Sequence, residues 1–98
     1  MSKDMNQFAM PDGFNEAAMT RDGVMLFNRG DKYIGTSLRT YGEYCPGERE
    51  VFAQLVRPGM TVVEAGANIG SHTLALSRLA EPGRVLAFEP QRLMFQLL

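Results

Sequence analysis

The stretch that decides the fold reads Val62-Val63-Glu64-Ala65-Gly66-Ala67-Asn68-Ile69-Gly70. Its apolar, β-branched start is typical of a buried strand, and the glycines after the acid predict a turn that opens a helix. A second such unit follows, because the strand predicted over residues 84–88 also ends in an acid, Glu89. Together the two units predict a site for a nucleoside ligand that carries an amino acid.

From residue 48 onward, the sequence pattern predicts a helix, a strand, a helix, a strand and a helix, in that order. Pro46 is expected to open, at its first position, the helix that covers residues 48–56. Strands cover 61–65 and 84–88, a helix covers 71–80, and Pro90 lies in the first turn of the last helix. This order is typical of a doubly wound α/β sheet whose two strands are parallel and adjacent. Successive apolar residues in the first strand predict burial on both of its faces.

Three segments are expected. Residues 1–22 form a flexible arm with one short helix near residues 15–19. Residues 23–46 hold a β-hairpin and a lead-in, in which the run from Asn28 to Asp31 forms the turn and Tyr33 resumes an extended strand. Residues 47–98 form the N-terminal part of a Rossmann-like domain, truncated because the chain ends inside an apolar helical face. A missing C-terminal part or a homo-oligomer is expected to cover the edge of the sheet.

Bulk properties exclude several classes of function. The 98 residues carry a net charge of −1, which gives no electrostatic footprint for nucleic acid or an anionic membrane. Cys45 is the single cysteine and provides neither an internal disulfide nor metal-ligand spacing. No signal peptide and no membrane-spanning run are present in the sequence, so a soluble cytoplasmic protein is expected.

The glycine spacing argues against a phosphate ligand. A phosphate-binding Walker loop needs a lysine after its second glycine, where this chain has Ser71-His72. A nicotinamide dinucleotide site needs glycines at positions 68 and 71, which hold Asn68 and Ser71. S-adenosylmethionine fits better, because the N–H groups of Ile69, Gly70 and Ser71 would take its carboxylate. Glu64 would face its ammonium, and Glu89 its two ribose hydroxyls.

Residues 62–73 resemble motif I of class I methyltransferases, and the Gly66-Ala67-Asn68-Ile69-Gly70 form resembles the FkbM family in particular. Residues 83–90 are similar to that family's second-strand motif, and residues 41–44 with the following helix resemble its lead-in. The resemblance implies transfer of a methyl group from S-adenosylmethionine to the hydroxyl oxygen of a small molecule or sugar. It implies a cofactor site made of eight residues: Glu64, Gly66, Ala67, Asn68, Gly70, His72, Thr73 and Glu89. It identifies no catalytic base.

Other interpretations stay open at this point. A non-catalytic remnant that depends on a partner would show the same motifs, and a nicotinamide-binding half-domain is the weaker alternative. Glu64 would then be a capping or salt-bridge carboxylate, and Glu89 would favour the start of the next helix. His72 is expected to line or pack the site rather than to act as a general base.

Overall fold

The computed structural model describes residues 13–98 and the backbone of residues 7–9. Over these residues it is a small mixed α/β structure with two sheets and four helices. The chain divides into two compact units, residues 1–44 and 45–98, which are described separately. In order along the chain the elements are β1 (Gln7–Ala9), β2 (Asn15–Thr20), β3 (Gly23–Asn28), α1 (Ile34–Tyr41), α2 (Pro46–Leu55), β4 (Thr61–Ala65), α3 (Thr73–Ala80), β5 (Arg84–Phe88) and α4 (Arg92–Leu97).

The first unit is an antiparallel sheet of β1, β2 and β3 with α1 against β2. An antiparallel hairpin therefore precedes the parallel strands, as predicted, but β3 pairs with the strand before it. The helix predicted near residues 15–19 is wrong, and strands replace the flexible arm at Gln7–Ala9 and Asn15–Thr20. The rest of that arm, residues 1–6 and 10–12, lies outside the described residues.

Side-chain hydrogen bonds in two turns explain why the hairpin forms between β2 and β3 and not after Asn28. The hydroxyl of Thr20 donates to the Gly23 carbonyl at 2.6 Å and accepts from the Asp22 N–H, which closes the turn between β2 and β3. The turn at Asn28 forms as predicted, since its Oδ1 accepts from the Gly30 N–H at 2.8 Å. The Asp31 carboxylate then accepts from the Tyr33 N–H, and the chain enters α1 instead of a strand.

The core of the first unit lies between the sheet and α1, where Phe27, Leu38 and Ala18 are buried. Beside it, the Arg39 guanidinium makes two hydrogen bonds to the Glu16 carboxylate, at 2.7 and 3.2 Å. It also lies 5.4 Å from the centre of the Phe27 ring. The Arg39 hydrogen bond lowers the pKa of Glu16 below its ordinary value of 4.5, against the opposing effect of burial.

The second unit contains the parallel pair that the sequence predicts. β4 and β5 have the predicted limits and pair in register from Thr61–Arg84 to Ala65–Phe88. α3 contacts both strands, and α2 contacts α3. Ala75, Leu76 and Ala80 of α3 are buried, together with two residues of the loop before it, Ala67 and Ile69.

Burial on both faces of β4 is contradicted. Side chains alternate along both strands, so Val62, Glu64, Val85 and Ala87 are half-buried while the opposite face is exposed. On that face Val63 is 65%, Leu86 44% and Phe88 59% exposed. The physical reason is that a sheet with a helix on one side has one covered face, whatever the apolar pattern of its strands.

The helix limits differ from the prediction at the starts of α3 and α4. α3 begins at Thr73, two residues later than predicted, because the glycine loop continues to His72. Pro90 lies before α4 rather than in its first turn. Gln91 is held extended there, with its N–H donated to Glu89 Oε2 at 2.8 Å, so helical geometry begins at Arg92.

The Glu16–Arg39 pair makes stability depend on pH. Because the pKa of Glu16 is lowered by folding, its contribution is present above about pH 4.5 and is lost as the pH falls through the folded-state pKa. Glu16→Gln should reduce the free energy of unfolding by about 1–2 kcal/mol at neutral pH and by much less near pH 3. Thermal and urea unfolding at the two pH values measure this. An equal loss at both would contradict the ionic origin of the effect.

Gly83 is required by close backbone packing. A Cβ placed there would lie 2.0 Å from the Met60 carbonyl oxygen and 2.8 Å from the Ala80 carbonyl oxygen. Gly83→Ala should therefore destabilise the chain by about 3 kcal/mol or more. Gly47→Ala is the matched control, because no atom lies within 4 Å of the position of its Cβ. Gly47 lies in α2, where alanine should raise the free energy of unfolding by about 0.5–1 kcal/mol. Urea unfolding of both variants tests the contrast.

Candidate nucleoside site

The candidate site is the loop between β4 and α3, beside the end of β5. The Phe88 carbonyl at the end of β5 accepts hydrogen bonds from the N–H groups of Gly66 and Ala67, at 2.8 and 3.0 Å. These two bonds continue the pairing of the strands by two residues beyond β4. Since parallel strands end at one edge of the sheet, Glu64 and Glu89 come to the same edge as the loop.

Glycine and asparagine give the loop its shape. Gly66, Asn68 and Gly70 have φ values of 78°, 55° and 93°. Asn68 adopts the left-handed conformation, which asparagine tolerates better than most residues. Gly70 allows a close approach of a side chain, because its Cβ position lies 2.8 Å from Leu98 Cδ1.

Glu89 is held by the backbone on both sides of it. Its Oε1 accepts from the Asn68 N–H at 2.7 Å, and its Oε2 accepts from the Gln91 N–H at 2.8 Å. A carboxylate oxygen has two lone pairs, so each oxygen keeps one for a further donor. The two oxygens are thereby presented in a fixed orientation, which suits a pair of neighbouring hydroxyls.

Glu64 and Thr73 are also brought together. The Thr73 hydroxyl, at the first residue of α3, donates to Glu64 Oε1 at 2.6 Å and joins the end of β4 to the start of the helix. Glu64 is half-buried on the face of the sheet that α3 contacts. Sequence reasoning gave both residues a ligand role and did not anticipate the bond between them.

His72 lies beside the loop but faces α2. Its Nε2 is 2.8 Å from Glu48 Oε1, and its ring meets the Phe52 ring edge-on with 5.2 Å between centres. The His72 side chain is 16% exposed. Glu48 and Phe52 are contacts that sequence reasoning missed, although both lie on the predicted helix. The expected packing role of His72 is consistent with this position.

The loop N–H groups are less free than the sequence suggests. Gly70 was expected to offer its N–H to a carboxylate, but that group donates to the Ala67 carbonyl at 3.0 Å. Gly66, Ala67 and Asn68 have donated theirs to β5 or Glu89. Of the N–H groups expected to hold a carboxylate, those of Ile69 and Ser71 therefore remain, beside the acceptors of Glu64 and Glu89.

Two features of the loop between β4 and α3 are compatible with a bound nucleoside. No atom lies within 4 Å of the position that a Cβ on Gly66 would take, so the chain leaves open space beside the loop. The Asn68 Oδ1 atom is buried and has no hydrogen-bond partner among residues 13–98. A buried acceptor without a protein donor is costly unless a water, an ion or a ligand supplies the hydrogen bond.

Comparison of the chain with protein-family models, with curated proteins and with solved structures finds no match. Within the described residues, no helix is both long and apolar enough to cross a membrane. No group of three or more histidine, cysteine or acidic side chains in that same part of the chain is arranged to hold a metal ion.

Glu89 should control the order of the loop. Glu89→Ala removes the acceptor for the Asn68 and Gln91 N–H groups, and their hydrogen exchange should become at least about tenfold faster. Glu89→Gln keeps one carbonyl oxygen and should protect one of the two amides. Glu81→Ala, at an exposed position, is the control that should leave both unchanged. Unaltered Asn68 exchange in the Glu89→Ala variant would show that the bond does not order the loop.

Proposed function

We propose that this chain forms the cofactor-binding start of an S-adenosylmethionine-dependent methyltransferase of the FkbM type, with a Rossmann-like fold. The observation that carries the proposal is the pair of acids at the ends of β4 and β5, with the open glycine loop beside them. S-adenosylmethionine has an ammonium at one end and a ribose diol near the other. An acceptor-rich edge suits both groups.

The residues have distinct roles in this proposal. Glu64 faces the ammonium, Glu89 takes the ribose hydroxyls, and the open side of Gly66 admits the ligand. Asn68 supplies a buried carbonyl oxygen that lacks a donor. His72 supports the start of α3 from α2. The ligand carboxylate has fewer partners than the sequence suggests, with the N–H groups of Ile69 and Ser71 as the remaining candidates in the loop.

The cofactor supplies an electrophilic methyl group, and an acceptor oxygen of a small molecule or saccharide would receive it. The part played by residues of this chain is binding and orientation, which alone accounts for a large share of such catalysis when reactants are aligned. No described residue is assigned to proton transfer.

An interaction fragment is the second candidate function. The exposed apolar face formed by Val63, Leu86 and Phe88 favours it, since parallel sheets are ordinarily covered on both faces. Such a fragment would keep the fold without turning over a substrate. A folded chain that binds no nucleoside would favour this candidate.

Calorimetric titration of the 98-residue chain with S-adenosylmethionine, S-adenosylhomocysteine and NAD tests the proposal. The first two ligands should bind and NAD should not. Gly66→Ala fills the open side of the loop and should weaken S-adenosylhomocysteine binding by at least about tenfold, or 1.4 kcal/mol.

Gly13→Ala is the matched control. Gly13 also has a positive φ, 67°, and open space at its Cβ position, but it belongs to the other compact unit. Both variants should lose a similar amount of stability, about 1 kcal/mol, from the left-handed backbone. Only Gly66→Ala should lose affinity. Binding of NAD alone would refute the methyltransferase proposal.

A further inference from the structure

We propose that Thr73 is a positioning residue that selects for the ligand's amino group by orienting Glu64. The inference rests on the proposed function and adds a role that the family resemblance does not imply. Its starting observation is the 2.6 Å hydrogen bond from Thr73 Oγ1 to Glu64 Oε1. The two residues lie at the end of β4 and at the start of α3, nine positions apart in the chain.

The bond uses the whole donor capacity of Thr73. A hydroxyl has one hydrogen, and here it is directed at the carboxylate. While it holds Glu64, Thr73 has no hydrogen to donate to a ligand. The lone pairs of Thr73 Oγ1 can still accept a hydrogen bond, so a direct contact with the cofactor from the helix start is limited to accepting, and we assign Thr73 its main effect through Glu64.

The bond fixes the orientation of the Glu64 carboxylate and leaves its second oxygen, Oε2, able to accept a hydrogen bond. A glutamate has three side-chain torsions, whereas threonine is β-branched and has a restricted first torsion. Anchoring Oε1 on Thr73 therefore removes much of the freedom of the carboxylate before a ligand arrives. Thr73 is its hydrogen-bond partner among the described residues, so Oε2 remains to accept from a cation.

The edge of the sheet explains why that cation would be an ammonium. Both strands end in an acid, and four N–H groups of the loop already have acceptors. Negative charge predominates at the site, and a positively charged group is stabilised there more than an anion. A preorganised acceptor gives more affinity than a mobile one, because the ordering cost is met on folding.

The test uses two ligands that differ at the relevant end. S-adenosylhomocysteine has the amino-acid group, and 5′-methylthioadenosine keeps the nucleoside without it. Thr73→Val preserves shape and removes the hydroxyl, so it should weaken S-adenosylhomocysteine binding by about tenfold and change 5′-methylthioadenosine binding by less than about twofold. Thr73→Ser restores the hydroxyl and should recover most of the lost affinity.

A double-mutant cycle separates positioning from a direct contact. Glu64→Gln should weaken S-adenosylhomocysteine binding at least as much as Thr73→Val, and the double variant should lose little more than Glu64→Gln alone. Additive losses, or equal losses for both ligands, would overturn the role assigned to Thr73. Failure of the wild-type chain to bind either ligand would instead overturn the proposed function, and this inference with it.

Discussion

The pair of hydrogen bonds from Gly66 and Ala67 to the Phe88 carbonyl is the constraint on which the candidate site depends. They hold the chain against β5 after β4 has ended, so the turn into α3 starts from a fixed point. With that point fixed, the Asn68 N–H reaches Glu89 and the Thr73 hydroxyl reaches Glu64. Without the Asn68 and Thr73 bonds, Glu64 would lose its hydrogen-bond partner, and Glu89 would keep only the Gln91 N–H among the described residues.

The elements with local signals could be predicted from the sequence. β4 and β5 have the predicted limits because each apolar run is bounded by turn or glycine residues. β2 was missed because its six residues form a strand only by pairing with β3, and a single segment carries no signal for its partner. Exposure of Val63 was missed for a related reason: an apolar pattern shows which residues favour burial, not whether an element is there to cover them.

At the candidate site, the sequence indicated which residues lie together but not which hydrogen bonds they make. Glu64, Gly66, Asn68 and Glu89 lie together as the spacing predicts, since parallel strands bring their carboxyl ends to one edge. The hydrogen bonds of the loop could not be predicted, because they depend on backbone directions. Gly70 illustrates this: its N–H, expected to face a ligand, is used within the turn. The contact of His72 with Glu48 could likewise not be predicted from the sequence, because it depends on how α2 packs against α3.

These bonds also determine which N–H groups of the loop remain free. A glycine turn before a helix is usually considered as an anion site, because free N–H groups converge there. Here the N–H groups of Gly66, Ala67, Asn68 and Gly70 have internal acceptors, and those of Ile69 and Ser71 remain available. Two carboxylates and the Asn68 Oδ1 atom retain unused acceptor capacity. The loop therefore presents acceptors as well as donors at the ends of the strands, a property that its glycine spacing alone does not show.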